Sequence, residues 1–252
     1  ITVEVSYTDG EGTAESVTSA ATSPVTNVSH SPTGGATITG VAAEGEVLAA
    51  DTSTLADADG LGALSYQWSR DGSPIDGATS STHTLTQADV GAAITVEVSY
   101  TDGEGASESV TSAATSPVTN VNDTPTGDVT LIAAVTEGDT LNADNILADE
   151  DGLGTLSYQW SRDGSPIDGA TSSSYTTIQA DVGAVITVTV SYTDGAGTVE
   201  SVTSSGTSPV ANMNNDPTGG VTITGVATEA EVLTADTSTL ADADGLGALS
   251  YQ

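Results

Sequence analysis

Residues 94–105, Ile94-Thr95-Val96-Glu97-Val98-Ser99-Tyr100-Thr101-Asp102-Gly103-Glu104-Gly105, copy the first twelve residues letter for letter, and a close variant begins at Ile186. The offsets of 93 and then 92 residues make the chain a tandem array of small units. Residues 32–124 and 125–216 read as complete repeats, 1–31 as the C-terminal part of one and 217–252 as the N-terminal part of another. Laid together, the two partial pieces lack only the 26 residues matching 68–93, so the expectation is a window on a longer polypeptide. Repeats of this length can each bury one small core. Near-identical units in series point to reach rather than to chemistry.

Within one unit the apolar segments are short, rich in β-branched residues and bounded by turn signals. They fall at 37–39, 47–49, 64–68, 82–85, 94–100 and 109–118. Ile94, Val96, Val98 and Tyr100 alternate with Thr95, Glu97 and Ser99, the period of a strand with one buried face. Leu64, Tyr66 and Trp68 alternate likewise. Asp-Gly pairs at 59–60, 71–72, 76–77 and 102–103 predict tight turns in which glycine takes positive φ. No helical period is sustained. Short strands with a turn every 8–12 residues predict an all-β fold of tandem immunoglobulin-like β-sandwich domains, strung into an extended array.

The formal charge is −33, from 35 acidic residues against Arg70 and Arg162, with no lysine. Phosphate recognition needs clustered Lys or Arg, so a nucleic-acid partner is not expected. An anionic membrane surface repels such a chain, and no apolar run reaches the ~18–20 residues of a membrane span. Cysteine is absent, which removes disulfides as a brace. Two readings of the acidity stand side by side: it keeps the protein soluble, or it binds divalent cations that neutralise carboxylates and pin loops together.

The stretches Ser65-Tyr66-Gln67-Trp68-Ser69-Arg70-Asp71-Gly72, Ile75-Asp76-Gly77-Ala78-Thr79 and Leu85-Thr86-Gln87-Ala88-Asp89-Val90-Gly91 resemble bacterial immunoglobulin-like repeats. The linker Asn120-Val121-Asn122-Asp123-Thr124-Pro125 is similar to the junctions of cadherin-like repeats in giant secreted (RTX-type) adhesins and surface proteins. The resemblance implies a sandwich with Trp68 and Trp160 on strand C in the core, a secreted or bacterial cell-surface location, and calcium at the junctions. Val98 stands where an antibody domain has cysteine, so the sandwich is expected without its disulfide. The linkers 27–32 and 212–217 vary the pattern; the first lacks the aspartate, and its calcium site is expected to be weaker or missing.

Sandwich topology brings the B–C and F–G loops to the N-terminal pole, where the preceding linker also arrives. In one repeat this gathers Asp57, Asp59, Asp102 and Glu104; in the next it gathers Asp123, Asp149, Glu150, Asp151 and Asp194. Asp216, Asp242 and Asp244 form the corresponding set beyond them. Calcium takes about six to eight oxygens in flexible geometry, and a D-x-D-G turn offers two carboxylates on one loop. The competing reading is that each Asp-Gly is only a turn, more so for the F–G loop. Glu44 and Asp89 are expected at the opposite pole, able to complete a neighbour's site.

Ingredients for catalysis are scarce. His30 lies in a linker, and Tyr175 occupies the position of His83 in the next repeat, so His83 reads as a packing or surface residue. No serine has an evident His partner, and no enzyme is expected. The expected role is a structural spacer whose partners are neighbouring repeats and further copies of itself. Two alternatives remain: a self-assembling filament or sheath, and a carbohydrate-binding module for which Tyr7, Tyr100 and Tyr192 are the candidate platforms.

Overall fold

The alternation of Ile94, Val96, Val98 and Tyr100 becomes one wholly buried face: all four side chains are buried while Glu97 and Thr101 face water. A computed structural model describes residues 1–132 and 134–252, which divide into two units, Ile1–Val121 and Asn122–Gln252. The first unit opens with a hairpin, β1 (Glu4–Thr8) and β2 (Ala14–Thr18), then carries β3 (Thr37–Thr39), β4 (Val47–Asp51), β5 (Ser65–Arg70), β6 (Ser73–Pro74), β7 (Thr82–Thr84), β8 (Ile94–Thr101) and β9 (Ser107–Thr111). All pairings between these strands are antiparallel, in two sheets of order β3-β4-β7 and β6-β5-β8-β9, besides the β1-β2 hairpin. These are the A-B-E and C′-C-F-G sheets of an immunoglobulin-like sandwich.

The second unit repeats the plan. Its strands are β10 (Val129–Thr130), β11 (Thr140–Asn142), β12 (Asp144–Asn145), β13 (Ser157–Arg162), β14 (Ser165–Pro166), β15 (Ser174–Thr176), β16 (Ile186–Thr193) and β17 (Val199–Thr203), followed by β18 (Thr222–Thr224) and β19 (Thr234–Asp236). The sheet β14-β13-β16-β17 matches its counterpart in register, with Trp160 opposite Val188 as Trp68 is opposite Val96. The A-B-E sheet is split in two: β10 pairs with β12 and β11 with β15. Chains of this kind are all-β, tandem immunoglobulin-like sandwiches.

Each core centres on its tryptophan, which is 0% exposed and donates its indole N–H to a backbone carbonyl, Ser80 O at 2.9 Å or Ser172 O at 2.8 Å. Burying an indole removes about 150–250 Å² from water, which at ~25 cal/mol/Å² contributes about 4–6 kcal/mol before entropy is set against it. Such a contribution matters in a core this small.

Both arginines of the chain serve these cores. Arg70 Nε and Nη2 reach Asp89 Oδ1 at 2.8 and 2.7 Å, and Arg162 reaches Asp181 Oδ1 at 2.7 and 2.6 Å. Asp89 and Asp181 are 0% exposed and sit on single 3-10 turns, Gln87–Asp89 and Gln179–Asp181. Burial alone would raise the Asp89 carboxyl; the Thr86 N–H and the Arg70 guanidinium outweigh it and hold the group below its ordinary value. Asp89 is therefore a core ion-pair partner, and the expectation that it serves a neighbour's site is corrected. His83 stacks on Trp68 and approaches Asp89 Oδ2 at 3.3 Å, while Tyr175 donates its hydroxyl to Asp181 Oδ2 at 2.8 Å. Of the two roles expected of His83, packing and surface, it takes the packing one.

Candidate cation-binding pole

The B–C loop folds on itself before anything else touches it. Asp59 N–H donates to Asp57 Oδ1 at 2.9 Å, and the pairs Asp151–Asp149 and Asp244–Asp242 repeat that bond at 2.9 Å each. Such Asx turns suit short polar side chains that cap their own backbone. The first aspartate is then fixed from strand F: the Tyr100 hydroxyl donates to Asp57 Oδ2 at 2.7 Å, and the Tyr192 hydroxyl to Asp149 Oδ2 at 2.5 Å. Burial, then the Asp57 carboxylate, push the Tyr100 phenol up to about 12, so it remains a donor. Both rings are nearly fully buried. They are clamps on the acidic loop, and the expectation that they stack on sugars is corrected for Tyr100 and Tyr192.

The F–G hairpin closes against the same loop. Gly103 N–H donates to Asp59 O and Gly195 N–H to Asp151 O, each at 3.0 Å. A Cβ on either glycine would lie 2.5 Å from that carbonyl oxygen, so the residue must be glycine for close approach. The sequence-based expectation of positive φ at Gly103 is corrected: within this hairpin the positive φ belongs to Gly105, at 92°. Asp102 Oδ1 accepts Glu104 N–H at 3.0 Å and Ala106 N–H at 2.7 Å, and Asp194 Oδ1 accepts Thr198 N–H at 2.7 Å.

The linker reaches this pole by a recurring device. Thr33 and Ala56 exchange backbone hydrogen bonds of 2.7 and 2.9 Å, and Thr126 with Ala148 and Thr218 with Ala241 do so at 2.7 and 3.0 Å. Immediately upstream, His30, Asp123 and Asn215 each donate a backbone N–H to the second loop aspartate: to Asp59 Oδ2 at 2.6 Å, Asp151 Oδ2 at 2.8 Å and Asp244 Oδ2 at 2.6 Å. Asn27 Nδ2 donates a further hydrogen bond to Asp59 Oδ1 at 3.0 Å. The His30 N–H, then Asn27, hold Asp59 below the ordinary carboxylate value; the Asn215 N–H, then Asn212, do the same for Asp244.

The hydrogen bonds leave specific oxygens over. Asp102 Oδ2, Asp194 Oδ2 and Asp123 Oδ2 are buried with no hydrogen-bond partner among the described residues. Asp102 and Asp194 are each only 6% exposed. A buried acceptor left unmade costs about 1–3 kcal/mol, more when charged. In the second unit, Asp123, Asp149 and Glu150 line one pocket of about 400 Å³ together with Thr124, Thr126 and Ala148. Taken within either unit alone, no three described carboxylates bring one oxygen each within 4.8 Å of one another. The carboxylates supply oxygen ligands, which suit a hard cation such as Ca²⁺ better than a tetrahedral N/S metal, although in the first unit the His30 imidazole Nδ1 also lies 3.1 Å from Asp59 Oδ2.

Of the residues expected at the pole, Asp57, Asp59 and Asp102 meet in the first unit, and Asp123, Asp149, Asp151 and Asp194 in the second. Glu150 stands exposed on the pocket rim, while Glu104 is exposed on a hairpin whose second copy has Ala196 there. Asp242 and Asp244 repeat the Asx turn without an F–G hairpin beside them. Asp216 is exposed; it is Asn215 that takes the place of Asp123. Glu44 accepts Val121 N–H at 3.4 Å at the opposite pole of its sandwich. The tyrosine clamp was missed from sequence, although its signal is present: Asp57 with Tyr100, and Asp149 with Tyr192, recur at one separation of 43 residues.

Among the described residues no helix is long and apolar enough to cross a membrane. No protein-family model and no curated protein matches the chain. Solved structures of similar kind include the three N-terminal domains of the bacteriophage RB49 highly immunogenic outer capsid protein Hoc, at 19% identity and TM-score 0.25, covering 80% of this chain and 69% of that one. A Ca²⁺-stabilized adhesin of an Antarctic bacterium, described as helping it reach out and bind ice, is 16% identical with TM-score 0.31; 90% of this chain spans 60% of that chain. The tandem Ig repeats of Dlar are 13% identical with TM-score 0.23, covering 72% of this chain and 97% of that one.

Proposed function

We propose that this chain is a spacer segment of an extracellular bacterial surface protein or adhesin, and that calcium bound at the acidic pole of each complete repeat stiffens the junction with the linker before it. The observation that carries this reading is the set of buried carboxylate oxygens without partners, Asp102 Oδ2 and Asp194 Oδ2, on hairpins packed against the D-x-D-G loops. A cation there would satisfy those oxygens, offset the repulsion among neighbouring aspartates, and hold linker, B–C loop and F–G hairpin together. Asp57, Asp59 and Asp102 would hold it in the first unit, and Asp123, Asp149, Asp151 and Asp194 in the second. The work done is mechanical, with no catalytic step.

Small-angle X-ray scattering and calorimetry of the chain in calcium and then in excess chelator test the reading. The expected result is a larger maximum dimension and a higher melting temperature with calcium. Identical scattering profiles and identical melting temperatures in the two buffers would sink it.

A further inference from the structure

One linker position carries a different side chain at each junction. His30, Asp123 and Asn215 are equivalent, and all three present the same backbone N–H to the second loop aspartate, at 2.6, 2.8 and 2.6 Å. Their side chains do opposite things. Asp123 adds a carboxylate, one oxygen of which is buried without a partner, and it shares its pocket with Asp149 and Glu150. Asn215 adds an amide: Nδ2 stands 3.3 Å from both Glu137 Oε1 and Glu137 Oε2, donating to a carboxylate of the repeat upstream. The same Nδ2 lies 3.1 Å from the neighbouring Gln179 Oε1, which accepts from it.

A second position varies in step. The middle residue of the D-x-D loop is Glu150 beside Asp123, but Ala243 beside Asn215 and Ala58 beside His30. The Asp123 pole therefore carries two carboxylates, Asp123 and Glu150, that the Asn215 pole replaces with an amide and a methyl. An N–H presents a positive hydrogen to a carboxylate where a bound cation would present its charge, so Asn215 satisfies Glu137 through Nδ2 and Asp244 through its backbone N–H without a metal.

We propose that Asn215 makes the 212–217 junction a metal-independent lock, so that the need for a divalent ion changes from junction to junction along one chain. The proposal rests on the cation reading above and specifies its regulation: Asp at this linker position, with Glu in the loop, demands calcium, and Asn with Ala dispenses with it. The physical cause is local neutrality. At the Asp123 pole the linker carboxylate keeps one buried oxygen without a hydrogen-bond partner, whereas at the Asn215 junction the side-chain amide donates to Glu137 and the backbone N–H to Asp244.

The test is calcium titration of the full 252-residue chain, counting bound ions by calorimetry and by equilibrium dialysis, for wild type, Asp123→Asn and Asn215→Asp. Circular dichroism checks that each variant folds. The expected result is one ion fewer per chain for Asp123→Asn and one ion more for Asn215→Asp. In chelator, Asn215→Asp should also lower the melting temperature, because it sets a third carboxylate against Glu137 and Asp244, and calcium should restore it. A wild type that binds ions, with Asn215→Asp adding none and calcium restoring nothing, overturns this proposal and leaves the cation reading standing. A wild type that binds none overturns both.

Discussion

Replacing Asp194 by asparagine separates a cation ligand from an ordinary turn residue. The exchange keeps shape: Oδ1 continues to accept Thr198 N–H, bonded at 2.7 Å, and only the buried, unpartnered Oδ2 becomes an NH₂. In chelator the variant loses a buried, unpaired charge, and because an unmet charged group costs more than the unmet neutral NH₂ that replaces it, the exchange should stabilise the unit by about 1 kcal/mol. For a repeat of this size that is about 4–8 °C in melting temperature. In calcium the order reverses. Wild type at a free concentration 100 times its dissociation constant gains about 2.7 kcal/mol, whereas a variant bound about 100-fold more weakly gains about 0.4 kcal/mol. The two melting temperatures should therefore cross, asparagine higher in chelator and lower in calcium. Differential scanning calorimetry in both buffers reads this directly, and the first unit, with Asp102 intact, is the internal reference. Equal destabilisation in both buffers would mean that Asp194 only braces the hairpin, and the argument from its second oxygen would be refuted.

Three further outcomes follow from the cores. Trp160→Ala should cost the second unit about 3–5 kcal/mol, seen in urea as its early unfolding while Trp68 keeps the emission of a buried indole. His83→Tyr installs the hydroxyl donor that Tyr175 gives Asp181 at 2.8 Å, and should raise the urea midpoint of the first unit by an amount equivalent to about 1 kcal/mol; an unchanged midpoint would show that the 3.3 Å histidine contact already suffices. Asp89 has a depressed folded pKa, so its contribution is fully present above the unfolded value of about 3.9 and is lost as pH falls through the lower folded value. Urea titrations at a series of acid pH values should show that loss in wild type, and an Arg70→Met variant, which strips the carboxylate of its cation, should show a shallower one.

Much of this was legible in the residues. The period of 93 and 92, the alternation through Ile94 to Tyr100 and the Trp68 position announce strands, sandwich and core, because burial on one face of a strand writes itself into every second residue. The meeting of the B–C and F–G loops was also readable, since it follows from topology alone. What could not be read was which polar atom meets which. Asp59 and Asp102 look alike in sequence, yet a linker backbone N–H and the Asn27 side-chain amide engage the two oxygens of one, while Oδ2 of the other is left bare. Asp89 looks like a surface acid and is a core ion pair, because its burial depends on a cationic partner, Arg70, that lies 19 residues away in sequence.

The sequence by itself determined the repeat, the all-β class and the crowding of acids into two loops and a linker, since these depend on local propensity and hydrophobic period. The tertiary structure decided the role of each acid. It turned Tyr100 and Tyr192 into clamps, made Gly103 a point of close approach, set Asn215 rather than Asp216 against Asp244, and left Asp102 and Asp194 each with one oxygen unmet. Hydrogen-bond satisfaction is a count of donors within about 3 Å, and that count exists only once distant segments have been brought together.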